Sequence, residues 1–149
     1  MKITQATVND VEKIAILFDK YRQFYEQAPN LEGCRNYIQT RLENGESTIF
    51  MAQLENGETV GFTQLYDSFC SVAMTPIVYL YDLFVDKPQR RTGVGKALMA
   101  RAEQYARENN ASRLTLETGI DNSKAQALYE SIGYVRNTEF YGYDFGIVE

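Results

Sequence analysis

Between Pro76 and Met99 the sequence changes its period twice, and that change limits the folds open to the chain. Pro76–Val85 is rich in Val, Tyr, Leu and Phe and reads as a strand. Asp86–Gly95 is a basic turn with Pro88 near its start and Gly93 and Gly95 at its end. From about Val94 to Asn109, Leu98, Ala102, Tyr105 and Ala106 recur at helical spacing. A strand that runs through glycines into a helix aims free backbone N–H groups and a positive helix end at one spot. Such a turn is a natural diphosphate site.

Two familiar phosphate loops do not fit. A Walker A loop needs glycine at position 90 and Ser or Thr at position 97, where this chain has Arg90 and Ala97. A dinucleotide fingerprint wants a small residue in place of Leu98 and an early strand rather than a central one.

The rest of the chain builds around that turn. Residues 2–7 read as a first strand. Asn9, with Glu12 three residues on, resembles a capping box. It opens a helix that carries Val11, Ile14, Ala15, Phe18, Tyr21 and Tyr25 to about Gln27, with Pro29 breaking it. Leu31, Cys34, Ile38 and Leu42 mark a second helix, closed by Asn44-Gly45. Ser47–Leu54 and Glu58–Tyr66 read as strands joined at Asn56-Gly57, and Gly61 signals a bulge or a close backbone approach. Asp67–Thr75 reads as a loop of small residues and Ser112–Glu117 as another strand. Asn122 opens a last helix ending near Gly133, and Tyr134–Val148, where Tyr141, Tyr143 and Phe145 alternate, reads as one or two terminal strands. The expected fold class is α/β (α+β): one mixed sheet of about six to seven strands flanked by about four helices. At 149 residues, the whole chain (1–149) is expected to be a single domain.

Composition narrows the chemistry. The chain has no histidine, which excludes Ser-His-Asp and Cys-His nucleophilic sites and HExxH zinc sites. Cys34 and Cys70 are too few for a four-ligand zinc site and are expected to be free thiols, so no metal is expected. Fifteen Lys and Arg against twenty Asp and Glu give a net charge of −5, which disfavours nucleic acid and suits a cationic substrate. No apolar run approaches membrane-spanning length. The opening Met1-Lys2-Ile3-Thr4 leads into a strand rather than a leader, so the expected location is cytoplasmic.

The turn Arg90-Arg91-Thr92-Gly93-Val94-Gly95 resembles the R/Q-x-x-G-x-G/A motif of the GNAT N-acetyltransferase superfamily, with Lys96 just beyond it. Downstream, Asn122 to Tyr134 is similar to that family's N-x-x-A-x-x-L-Y-x-x-x-G-Y/F segment, with Ala125, Leu128, Tyr129 and Gly133 in register. The stretch from Gly61-Phe62 through Tyr79–Val85 looks most like the diamine (spermidine/spermine-type) branch, except that Tyr81 stands where that branch carries glutamate.

The resemblance implies the GNAT fold and acetyl-CoA as the acyl donor. It implies direct attack of a neutral primary amine on the thioester, through a tetrahedral intermediate. The glycine turn, Arg90 to Lys96, would hold the pyrophosphate. Backbone groups of Leu83, Phe84 and Val85 would supply the oxyanion donor and pair with pantetheine. Asn122 and Ala125 would contact the cofactor, and Tyr129 would protonate the leaving thiolate. Asn122 also suits a helix cap on its own. Asp82 is our candidate for base or ammonium anchor, being next to the oxyanion donors. Adjacent strand residues face opposite sides, so Asp82 and Leu83 do not share a layer. Tyr81, Glu26 and Glu117 complete the candidate substrate-binding set. The acceptor is expected to be a small or polyamine-like molecule. The runner-up is an N-terminal or lysine amine of a protein, and the alternative class is a non-catalytic acyl-CoA sensor. The apolar edge expected at Tyr141, Tyr143 and Phe145 suggests a homodimer.

Overall fold

In the computed structural model, which describes residues 1–148, five strands form one sheet in the order β1-β2-β3-β4-β5. They are β1 (Lys2–Gln5), β2 (Thr48–Gln53), β3 (Thr59–Cys70), β4 (Thr75–Val85) and β5 (Leu114–Thr115). The first four are antiparallel, and β5 runs parallel to β4. The helices are α1 (Val11–Phe24), α2 (Leu31–Glu43), α3 (Val94–Glu108) and α4 (Ser123–Ser131). The chain divides into two compact units, Met1–Glu117 and a second one from Thr118 onward. The first holds the sheet with α1, α2 and α3; the second holds α4 and the terminal segment.

In the first unit, alternation along the strands sorts side chains onto two faces. Ile49 and Met51 of β2 and Phe62 of β3 join Phe84 of β4 in a core with Ile14, Leu17 and Ile38 of α1 and α2. The opposite face takes Phe50, whose ring meets Tyr105 of α3 at 6.0 Å. Leu98, Met99 and Ala102 of α3 are fully buried. Gly61 is a close-approach glycine, as its place in a strand suggests. A Cβ there would sit 3.0 Å from the Phe84 carbonyl and 3.2 Å from both Leu98 and Val94.

Several sequence expectations need correction. Thr7, not Asn9, caps the first helical turn, and Asp10 completes the box by accepting the Thr7 N–H at 2.8 Å. Glu12 is drawn off by Arg35, which it meets at 2.6 and 3.0 Å. Helix α1 ends at Phe24, ahead of Pro29, because Glu26 turns left-handed at φ 63°. The expected loop at Asp67–Thr75 is mostly strand: β3 runs on to Cys70 and β4 begins at Thr75, since the hairpin ladder gives both stretches a pairing partner. The sheet has five strands rather than six or seven. Among the described residues, the segment from Tyr134 onward forms no strand. Alternation alone does not make a strand, because the backbone needs a ladder. Tyr141, Tyr143 and Phe145 are instead about nine-tenths exposed, so the edge strand from which a homodimer was expected is not formed.

Candidate active site

Strand β4 is irregular where the chemistry was expected. Gln64 pairs with Asp82 and Leu65 with Leu80, which leaves Tyr81 as an extra residue in the ladder. A bulge of this kind turns two neighbouring side chains toward one side. Its second edge is equally unusual. The ladder to β5 has two rungs, Val78 with Leu114 and Tyr79 with Thr115, so β4 continues past it from Leu80 to Val85. Asp86 donates its N–H to Val60 at 2.8 Å. Antiparallel alternation then turns Phe84 toward β3, and Leu83 and Val85 away from it. Of the three residues expected to offer backbone donors, two face the open edge. The Phe84 side chain is core.

Asp82 is 6% exposed and sits on the α1 side of the sheet. The Gln64 amide donates to its Oδ2 at 2.8 Å, and Ser47 Oγ donates to the Gln64 Oε1 at 2.8 Å, which fixes the amide's orientation. The Tyr21 phenol is hydrogen-bonded to the same carboxylate. Burial pushes the Asp82 carboxyl above the ordinary carboxylate range, and the hydrogen bonds from Gln64 and Tyr21 only partly oppose it. Burial, then the Asp82 charge, pushes the Tyr21 phenol up as well. A carboxylate whose basicity is raised by burial, and which two donors hold in place, is suited to taking a proton from an incoming ammonium.

The turn after β4 is built from backbone. Asp86 caps a single helical turn at Lys87–Gln89, and its side chain pairs with Lys20 at 3.1 Å. Arg91 and Gly93 both adopt positive φ, 65° and 90°, and Gly93 serves as the N-cap of α3. Left-handed residues just ahead of a helix start can turn successive N–H groups outward, which is what an anion requires. A Cβ on Gly93 would meet nothing within 4 Å, so the turn opens onto space rather than protein. Val94 is 2% exposed: its side chain belongs to the core, and only its backbone faces outward. Arg90 folds back, donating from Nε to the Val85 carbonyl at 2.9 Å with its guanidinium over Phe84. Thr92 ties the turn through the Gln89 carbonyl. Arg91 and Lys96 are exposed. This combination of open strand edge and outward N–H groups fits a pantetheine arm and a pyrophosphate.

Beside Asp82 the expected Tyr81 lies among phenols, Tyr66, Tyr79 and Tyr37, that sequence reading did not single out. The Tyr81 ring meets Tyr66 at 5.6 Å and Tyr79 at 5.9 Å. Tyr66 and Tyr37 share a hydrogen bond at 2.8 Å, and Tyr79 donates to Glu117 at 2.8 Å. The Glu117 carboxylate pushes the Tyr79 phenol up to about 12. Tyr81 and Glu117 therefore belong to one hydrogen-bonded and stacked array on the face that carries Asp82. Glu26 does not join it: it occupies the exposed turn after α1, next to Tyr25, whose ring meets Tyr21 at 5.1 Å. Tyr21, Gln64 and Tyr66 gave no local signal, because α1 and β3 reach Asp82 only after folding.

In the second unit, Asn122 caps α4 by accepting the Ala125 N–H at 3.2 Å, as its place before the helix suggests. Tyr129 lies on α4, two turns along, with its ring 6.2 Å from that of Tyr134. Gly133, at φ 101°, ends the helix, and the Tyr134 N–H returns to the Tyr129 carbonyl at 3.0 Å.

Known proteins resemble this chain in sequence and fold. Residues 14–134 match the profile of the acetyltransferase (GNAT) family. The uncharacterized N-acetyltransferase YhfO of Bacillus subtilis (strain 168) is 48% identical over 143 residues, 96% of this chain and 95% of that protein. An aminoglycoside N(6')-acetyltransferase type 1 of Stenotrophomonas maltophilia is 26% identical over 62% of this chain and 63% of its own length. A crystal structure of a probable acetyltransferase superposes with a TM-score of 0.94 at 38% identity, covering 100% of this chain and 99% of that one. Among the described residues no helix is long and apolar enough to cross a membrane. The chain belongs to the GNAT family of N-acetyltransferases, whose members use acetyl-CoA as cosubstrate.

Proposed function

We propose that this enzyme acetylates the primary amine of a small molecule, with Asp82 as the group that anchors the ammonium and accepts its proton. The observation that carries the reading is the buried Asp82 carboxyl at the β4 bulge, one residue from the released strand edge. Acetyl-CoA supplies an activated acetyl group when bound. The chain's own residues do the rest. The N–H groups of Arg91 to Lys96 bind the pyrophosphate, with Arg91 and Lys96 adding positive charge. Arg90 positions the turn through Val85 and Phe84. The N–H groups of Leu83 and Val85 hold the oxygen on which negative charge develops. The Asp82 carboxylate takes the ammonium proton, directly or through one water. Tyr129 returns a proton to the departing thiolate as a phenol acting as general acid. Asn122 and Ala125 begin the helix that carries it.

A buried carboxyl flanked by the Gln64 amide and the Tyr21 phenol supports a small acceptor over an N-terminal or lysine amine of a folded protein. The diamine branch supplies one candidate class through the Tyr79–Val85 resemblance, and the aminoglycoside-acting relative supplies another. The test is CoA release, followed by mass spectrometry, with diamines, aminoglycosides, arylalkylamines, amino acids and short peptides as acceptors. Turnover confined to small amines is the expected result. Turnover confined to peptides overturns the acceptor class. For Tyr129→Phe we expect a loss of turnover with acetyl-CoA affinity retained; unchanged turnover removes Tyr129 from the reaction. No release with any amine, in a protein that binds acetyl-CoA, points to the sensor class instead.

A further inference from the structure

We propose that Tyr81, braced by Tyr66 and Tyr79, forms a platform beside Asp82 that selects amines carrying a flat aromatic body. This rests on reading Asp82 as the amine anchor, and it names the class of amine. The bulge sets Tyr81 and Asp82 side by side, so the platform begins where the ammonium would end. Tyr81 is 64% exposed yet packed against two neighbouring rings. It meets Tyr66 edge-to-face at 81° and Tyr79 at 43°. Both supports are themselves tied down, Tyr66 to Tyr37 and Tyr79 to Glu117. A ring steadied by two others with much of its area uncovered offers a π surface rather than core packing. Rings meeting at 4.5–7 Å in offset or edge-to-face geometry attract one another beyond simple burial.

The charges point the same way. Asp82 is the one buried carboxylate on this face among the described residues, and it supplies a single counter-charge. Glu117, the other carboxylate of the array, already accepts the Tyr79 hydroxyl. Tyr81, the strand neighbour of Asp82, carries no charge, so a flat aromatic surface rather than a second carboxylate adjoins the anchor.

The test compares three probes: 2-phenylethylamine, 2-cyclohexylethylamine, which keeps the skeleton but has no π system, and 1,5-diaminopentane. Each is measured by kcat/KM and by calorimetric titration on wild type, Tyr81→Phe and Tyr81→Leu. Wild type is expected to favour the phenyl amine over its cyclohexyl analogue by about three- to tenfold, and over the diamine. Tyr81→Phe should keep the preference, and in Tyr81→Leu the ratio should fall to about one. A wild-type preference for the diamine, a phenyl-to-cyclohexyl ratio of one, or a ratio that Tyr81→Leu leaves unmoved overturns the platform. The two readings fail differently. Phenyl-selective binding without CoA release removes the transferase assignment of this site and keeps the platform. Efficient turnover of the diamine alone keeps the transferase and removes the platform.

Discussion

The acceptor face and the glycine turn lie at opposite ends of the same stretch of chain, and they are made of different material. Around Asp82 the working parts are side chains: a buried carboxyl, the Gln64 amide, the Tyr21 phenol and the Tyr66–Tyr81–Tyr79 rings. In the turn from Asp86 to Lys96 they are backbone N–H groups, set by positive φ at Arg91 and Gly93 and by the start of α3. Asp82 and Asp86 condense the contrast. Asp82 is buried with no cation paired to it among the described residues, and its carboxyl is pushed up. Asp86 is half-buried, pairs with Lys20 at 3.1 Å and caps a turn. One carboxylate is kept in an unfavourable state, where proton transfer is easy. The other is paired with Lys20 and builds structure.

The sharpest way to break this contrast is Asp82→Asn. The amide keeps an oxygen for the Gln64 donor and nearly the same volume, so the fold should hold. The proton acceptor is lost. We expect kcat/KM to fall by about 10²–10⁴, the usual range for removing a positioned acid or base. Acetyl-CoA affinity, read by calorimetry, should stay within about twofold, because the turn is untouched. If cofactor affinity falls in parallel with activity, the two regions are one coupled site and the division drawn here is wrong.

The converse substitution attacks the backbone side. Gly93 has φ 90°, and a β-branched residue adopts that conformation only at about 1–2 kcal/mol or more. Space is not the obstacle, since nothing lies within 4 Å of an added Cβ. Gly93→Val should therefore distort the turn without overpacking the core and weaken acetyl-CoA binding about tenfold or more. The KM for the amine at saturating acetyl-CoA should hardly move. An unchanged dissociation constant for acetyl-CoA would show that the N–H groups of this turn do not carry the pyrophosphate.

The two regions also differ in how well the sequence announces them. The turn is contiguous, and its boundaries could be read directly: α3 begins at Val94, as its apolar spacing predicts, and Asn122 caps α4. Backbone sites are written in local sequence because glycine and helix starts are local properties. The acceptor face draws on α1, α2, β3, β4 and the residues after β5. Tyr21, Gln64 and Tyr66 looked like ordinary periodic residues until the ladder brought them to Asp82. The bulge at Tyr81 was equally hidden, because it arises from the pairing of two strands rather than from either alone. Beyond the sheet, alternation at Tyr141, Tyr143 and Phe145 mimicked a strand, because side-chain pattern carries no information about a partner backbone.

The smallest predicted effect tests whether Asp82 is held in an unfavourable state. In the unfolded chain its carboxyl titrates near ~3.9. In the folded protein burial raises that value. Between the two, the native state holds a proton that the unfolded chain has released, so this group's contribution to stability falls as pH rises through the window. Above the folded value the full penalty of a buried charge is present. Asp82→Asn carries no such proton. Its melting temperature relative to wild type should therefore climb from about pH 4 upward and then level off. At this chain length each kcal/mol corresponds to about 2–4 °C, so thermal unfolding of both proteins from pH 4 to 8 resolves the trend. Taking the difference cancels every other titrating group the two proteins share. A difference that shrinks with rising pH would mean Asp82 is stabilised as a carboxylate, and the contrast with the ion-paired Asp86 would fall. The two ends of this strand would then differ in position but not in physical character.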